Sequence, residues 1–184
     1  MKQIRIQEIT QPDKTSFLSR HHFYSVYIGD QRFNYFTSEK KAREFLAKTN
    51  KFLNDCLQII NYVHVQVYAE YRAVWFYADT AFNHVNAIEA ELKNCETYMD
   101  RSISNSTGLN GNYMAFNHLT KSCSCLIKSC EIIIKIYMEK KIFVPCHRLK
   151  YLIEQANYTR VKLANYSVKQ LQDVELESIE ETSY

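Results

Sequence analysis

Apolar residues recur every three or four positions along one uninterrupted stretch, Ser38 to Arg101, which holds neither glycine nor proline. Placed at 100° per residue, Ala42, Phe45, Thr49, Phe52, Cys56, Ile59, Ile60, Val63, Val67, Tyr71, Val74, Ala78, Phe82, Val85, Leu92 and Met99 fall on one face. Phe45 and Met99 are fifty-four residues apart, or fifteen turns of 3.6, so the stripe keeps its phase throughout. Two helices joined by a turn usually restart the phase. The pattern therefore predicts one long helix over residues 38–101, about 95 Å from end to end. Its period is nearer 3.6 than 3.5, which argues against a tightly supercoiled two-stranded coil. The alternative is a break at Val63 to Tyr68, where Val63, Val65 and Val67 alternate with His64, Gln66 and Tyr68 in a period of two.

The opposite face changes along the stretch. It begins solvated, with Asn50, Asn54, Gln58 and Asn61, and in the middle carries Val65, Tyr68 and Phe76, with Trp75 at the stripe's edge. A helix that is apolar all round is buried all round, so the central part is predicted to be covered on two sides.

The other elements are shorter. Ile4 to Ile9 reads as a short strand and residues 10–21 as a polar loop around Pro12. Phe23 to Ile28 and Arg32 to Phe36 are rich in aromatic and β-branched residues on either side of Gly29-Asp30, the pattern of a hairpin. Thr37 or Ser38 is placed to cap the long helix, and Glu39 to face its dipole. After a polar loop at residues 102–112, which holds Gly108 and Gly111, a second helix is predicted over about residues 113–141. A third starts at Pro145, a residue suited to a first helical turn, and runs to about Glu177. The fold class is thus mainly α: a long-helix spine with two further packed helices in a helical bundle, and a small N-terminal β-hairpin or three-stranded element. The expected organisation is a β element at 1–37, a helical domain at 38–178 and an acidic tail at 179–184.

The order of strand, hairpin and helix, carried by Tyr24-Ser-Val-Tyr-Ile and Phe36-Thr-Ser-Glu-Lys-Lys-Ala, resembles the arm-type DNA-binding domain of tyrosine recombinases. That resemblance covers about a quarter of the chain and implies a three-stranded sheet with a helix behind it. The Arg, His-x-x-Arg and Tyr constellation of a recombinase catalytic domain does not follow, and no site residue carries over.

Charge refines the picture. Residues 113–169 hold 10 basic and 3 acidic residues, whereas residues 170–184 hold 5 acidic and no basic residues. Met1 to Ile9 alternates charged and apolar residues, unlike a signal-peptide core, and no run approaches the roughly 20 apolar residues of a membrane span. The expectation is an intracellular protein, cytoplasmic or within an assembled particle, without a membrane partner.

Chemistry-bearing residues are present but not arranged for catalysis. Cys123, Cys125 and Cys130 invite a metal reading, yet residues two apart on a helix point about 200° apart. Cys56, Cys123 and Cys130 lie in apolar stripes, where a thiol is an ordinary small core group. The six histidines form no His-x-x-x-His or Glu-x-x-His pair, and three glycines cannot supply a phosphate loop. No catalytic, cofactor-binding or metal residue is expected, no cofactor, and no enzymatic activity.

Two surfaces remain as candidates. Val65, Tyr68, Trp75 and Phe76 are expected to form an oligomer interface, because two shorter helices cannot wrap the spine from both sides. Lys121, Lys128 and Lys135 recur every seven residues and, with Arg148 and Lys150, could neutralise phosphates. The same lysines would also serve as a solvated edge or meet an acidic partner such as a neighbour's 170–184 tail. The expected function is a structural or assembly protein that forms a homo-oligomer with itself and with other protein subunits, of the kind found in viral or other large complexes. The alternative is a nucleic-acid-binding accessory protein using the basic C-terminal helices.

Overall fold

A computed structural model describes the backbone of residues 9–10, 24–28, 31–36, 38–77, 82–104 and 113–181, and the side chains of residues 38–77, 83–103 and 115–166. Three short strands, β1 (Ile9–Thr10), β2 (Tyr24–Ile28) and β3 (Gln31–Phe36), pair antiparallel in the order β1-β2-β3, with Ile9 opposite Val26 and Ser25 opposite Tyr35. The Gly29-Asp30 turn expected between β2 and β3 lies outside the described residues, as does Ile4 to Glu8 of the first expected strand.

Nearly all the rest that is described is helical, in four packed helices and a short turn: α1 (Glu39–Val74), a 3-10 turn (Trp75–Tyr77), α2 (Phe82–Ser104), α3 (Tyr113–Glu139) and α4 (Val144–Glu181). The Ser38 carbonyl accepts the first α1 bond, from Ala42 N at 3.1 Å, and Glu39 holds Arg43 one turn on at 2.6 Å.

The single spine is corrected by this arrangement. Residues 38–101 form two helices, so the bundle has four rather than three. The break does not fall at Val63 to Tyr68 either, since α1 runs unbroken through those residues. Their alternation is real, but burial follows the helix: Val63 and Val67 are fully buried and Val65 is 54% exposed. The chain leaves the α-helix after Val74 and resumes one at Phe82. Val74 and Val85, both buried, are eleven residues apart, close to three turns, so the connection preserves the phase and the stripe bears no mark of it. The sequence Asp79-Thr80 just ahead of α2 offers two residue types favoured at helix starts.

The chain divides into two compact units. One comprises residues 55–101 and 117–163; the other comprises residues 1–54, 102–116 and 164–184. The first is a four-helix bundle. Its α1 and α3 segments run parallel, with Cys56 near Cys123 and Glu70 bonded to Tyr137. Its α2 and α4 segments run the other way, α2 bringing Cys95 and Glu91 to Ser122 and Lys128, and α4 bringing Arg148 to Glu70. Ile60, Ile88, Leu126, Ile133, Leu149 and Leu152 are among its fully buried side chains. The described core of the second unit is aromatic. Phe52 stacks on Tyr166 with centroids 4.1 Å apart, Phe116 lies 5.9 Å from the same ring, and the Tyr166 hydroxyl is 2.8 Å from Thr49 Oγ1.

The α3–α4 turn is closed by a left-handed cap. Ile142 N–H donates to Tyr137 O at 2.8 Å and Lys141 N–H to Met138 O at 3.1 Å, and Lys141 has φ 58°. Pro145 then occupies the first turn of α4, as its fixed φ favours. A side chain in the left-handed region costs roughly 1–2 kcal/mol that glycine avoids. Lys141→Gly should therefore stabilise the protein by about 1 kcal/mol, read as a higher urea midpoint. An unchanged or lower midpoint would mean the turn is relaxed with lysine.

Candidate interaction surface

The outward face of α1 and the 3-10 turn that follows it carry exposed apolar side chains. Val65 is 54% exposed, Tyr68 44%, Trp75 54% and Phe76 87%. All four expected interface residues therefore lie on the surface of one chain, and the helix turns them outward because the i, i+3, i+4 set that includes Val63, Val67, Tyr71 and Val74 is fully used inward. An open groove of about 670 Å³ runs along this region, lined by Tyr68, Tyr71, Arg72, Ala73, Trp75 and Phe76. Of the lining rings, Tyr68 lies 5.8 Å from Tyr71 and 6.3 Å from the buried His64 beneath it.

The five basic residues singled out as a phosphate surface are not brought to one face. Lys128 Nζ is 3.4 Å from Glu91, and Lys121 sits 5.5 Å from the Tyr98 ring, so the α3 lysines follow the seam with α2. Arg148 lies on the other seam, between α4 and α1, where it meets Glu70 at 3.5 Å and donates to Gln66 Oε1. Lys135 and Lys150 are exposed. Two of the five charges thus already face carboxylates of their own bundle.

Buried polar groups are held neutral. His64 is 8% exposed, and burial pushes its imidazole below the ordinary 6.5, opposed by Glu96 and by a backbone bond with Leu92. Its Nε2 lies 3.4 Å from Glu96 Oε1 without completing a hydrogen bond. His118, stacked on Tyr98 at 5.7 Å, is likewise lowered by burial, with Lys121 and Arg101 adding to the effect. All six cysteines are buried and reduced. Burial raises Cys56 to about 11 and Cys123, Cys125 and Cys130 to about 12, and pushes Cys95 up as well. These thiols are core groups without nucleophilic character at neutral pH. Among the described residues no group of three or more His, Cys, Asp or Glu side chains is placed to hold a metal ion.

No protein-family model matches the chain, and neither a curated protein nor a solved structure does. The surface has to be read from its own chemistry.

The sequence pattern missed a second exposed apolar set on the bundle. Met138, Phe143 and Val144 flank the α3–α4 turn at 52%, 56% and 86% exposure, and Tyr151 and Tyr158 follow on α4. Phe143-Val144 precedes Pro145 and reads in sequence only as a helix interruption. The available signal is that both residues fall outside any buried stripe.

The two imidazoles set an acid limit. Their folded pKa values lie below the unfolded value near 6.5, so the unfolded chain takes up protons first as pH falls. Their contribution is intact above about pH 6.5 and is lost as pH drops below it. The urea midpoint should fall between about pH 7.5 and about pH 5, and His118→Gln should flatten that slope. An equally steep slope in the variant would assign the loss to other groups. The thiols give a separate reading: Ellman's reagent should leave all six unreacted in the native protein and titrate all six in denaturant. Prompt native reaction of any thiol would contradict its burial.

Proposed function

We propose that this chain is a structural, self-assembling protein that forms a homo-oligomer through the outward face of α1 and serves as a building block of a larger viral or cellular complex together with other protein subunits. The observation that carries the proposal is the clustering of Val65, Tyr68, Trp75 and Phe76 on one rigid helix and its 3-10 extension, all substantially exposed in the single chain. Fully burying a large apolar side chain contributes about 1.5–3 kcal/mol, so a second copy covering this face gains from each of them. Aromatic residues are also those enriched at the buried centres of interfaces. In this reading the helical bundle is the assembling body, residues 1–37 form a small appended β element and residues 179–184 an acidic tail. No enzymatic activity is part of it.

The second reading, an accessory nucleic-acid-binding protein, rests on the excess of 10 basic over 3 acidic residues in 113–169. The pairing of Lys128 with Glu91 and of Arg148 with Glu70 makes it the weaker of the two.

Light scattering and sedimentation test the first reading directly. The wild type should form a defined oligomer at micromolar concentration, and Phe76→Glu should yield monomers of unchanged helicity, because Phe76 is 87% exposed in the single chain. A monomeric wild type would overturn the proposal. Reversing Lys121, Lys128 and Lys135 to Glu should leave the oligomer intact. Salt-sensitive duplex binding by the wild type, lost in that triple variant, would favour the second reading instead.

A further inference from the structure

The α3–α4 turn combines features that the oligomer face does not use. Phe143 and Val144 stand on the turn at 56% and 86% exposure, with Met138 at 52% on the last turn of α3. Exposed lysines 140 and 141 precede them, and His147 and Lys150 follow on the first turns of α4. Glu139 is the acidic residue of the turn itself, Glu131 and Glu154 lie farther along α3 and α4, and Arg148 is occupied by Glu70 and Gln66. Asp79 lies in the 78–81 stretch, outside the described residues. The turn is thus net positive and apolar at its crest.

Its backbone adds an independent observation. Lys141 occupies the left-handed position of the helix cap, at φ 58°, where glycine is favoured. The turn therefore keeps a positive charge at a conformational cost. Strain of this kind, tied down by the bonds from Ile142 to Tyr137 and from Lys141 to Met138, is characteristic of positions held for function. The cap and Pro145 also fix the direction in which Phe143 and Val144 are presented.

We infer that this turn is a peripheral docking site for an anionic lipid surface, with Phe143 and Val144 entering the interfacial region and Lys140, Lys141 and Lys150 facing acidic headgroups. Charge complementarity selects this occupant. Lysine is depleted at the centres of protein interfaces, whereas basic residues beside an apolar crest are attracted by the negative surface potential of acidic lipids. Aromatic and aliphatic side chains flanked by lysine suit the boundary between headgroup and acyl chain. Aliphatic Val144 and Met138 give no stacking platform for bases, which sets a nucleic acid behind a lipid. The proposal departs from the sequence expectation of no membrane partner. No described helix is long and apolar enough to cross a bilayer, and peripheral docking needs none.

Co-sedimentation of the full chain with vesicles is the test. Protein should pellet with phosphatidylcholine vesicles containing phosphatidylserine and stay in solution with phosphatidylcholine alone. The Lys140→Glu, Lys141→Glu double variant and the Phe143→Ser, Val144→Ser double variant should each abolish pelleting with native circular dichroism. Lys141→Gly is the sharper variant, because it should be more stable than wild type yet bind the acidic vesicles roughly fivefold more weakly, the effect of one surface lysine. No pelleting of wild type with acidic vesicles would overturn the inference, as would pelleting that survives both double variants. Loss of the lipid-free oligomer in the Phe143→Ser, Val144→Ser variant would assign the turn to the subunit interface. Oligonucleotide binding that needs the lysines but not Phe143 and Val144, without vesicle binding, would assign it to nucleic acid.

Discussion

The bundle depends on one requirement, that α3 face three other helices at once. In the unit of residues 55–101 and 117–163, α3 bonds to α1 through Tyr137 and Glu70, approaches α2 where Ser122 Oγ lies 3.4 Å from Cys95 O, and adjoins α4 where Cys123 lies near Arg160. Such a helix must be buried over most of its circumference without filling the space its neighbours need. The run Ser122-Cys123-Ser124-Cys125 and the pair Ser129-Cys130 supply small side chains for this, and Ser122, Ser129 and all three cysteines are buried. The buried hydroxyls are satisfied inside their own helix, Ser122 on His118 O and Ser129 on Cys125 O, so they add no unpaired polar group. The cysteines are there for their size, which is why burial, rather than any reactive partner, dominates their titration.

This requirement also explains what could be read from the sequence. Among the described residues, most of the stripe from Ala42 to Met99 is buried, with Phe52 half-buried, because α1 and α2 each bury one face, and a one-sided pattern has one reading. Its continuity misled, because the eleven residues from Val74 to Val85 match three turns, and a turn of suitable length is invisible to a periodicity argument. Leu53, Leu57, Ile88 and Cys95 extend the buried face beyond the stripe for the same reason that a bundle helix meets two neighbours. On α3, Ile133 and Ile136 are fully buried while Ile134 is only half-buried, since a wide face has no single centre for a pattern to find.

The candidate surface was legible in part for a related reason. Val65, Tyr68 and Phe76 stand out because they violate the polarity of an outward face, and a violation is visible in sequence. Phe143 and Val144 violate nothing: they fall at the end of a turn and the first position of α4, where no face exists until the chain folds. The basic residues show the converse. Lys121, Lys128 and Lys135 do share an edge of α3, as their spacing requires, but Arg148 belongs to a different seam because α4 is placed by packing rather than by its own pattern. Charge counted along the sequence does not show which cations face carboxylates, as Lys128 and Arg148 do.

What the bundle presents depends on how firmly it is held beneath. Glu70 connects three helices, accepting from Tyr137 at 3.2 Å and meeting Arg148 at 3.5 Å, with its side chain only 12% exposed. A carboxylate that far from water is stabilised by its partners, and removing one of them leaves the charge under-compensated. Burial, and after it the Glu70 charge and its bond, push the Tyr137 hydroxyl upward, keeping it a donor over the physiological range. Tyr77 closes the same corner, its ring edge-on to Tyr137 at 6.1 Å. The 3-10 turn that bears Trp75 and Phe76, and the α3–α4 turn that bears Phe143 and Val144, are thus anchored to one shared polar cluster at the same end of this unit. Exposed apolar side chains on a frayed loop would lose on binding the entropy they hold when free. Here Glu70, Tyr137 and the Lys141 cap hold the backbone beneath both sets of exposed side chains, so less of that entropy remains to be lost.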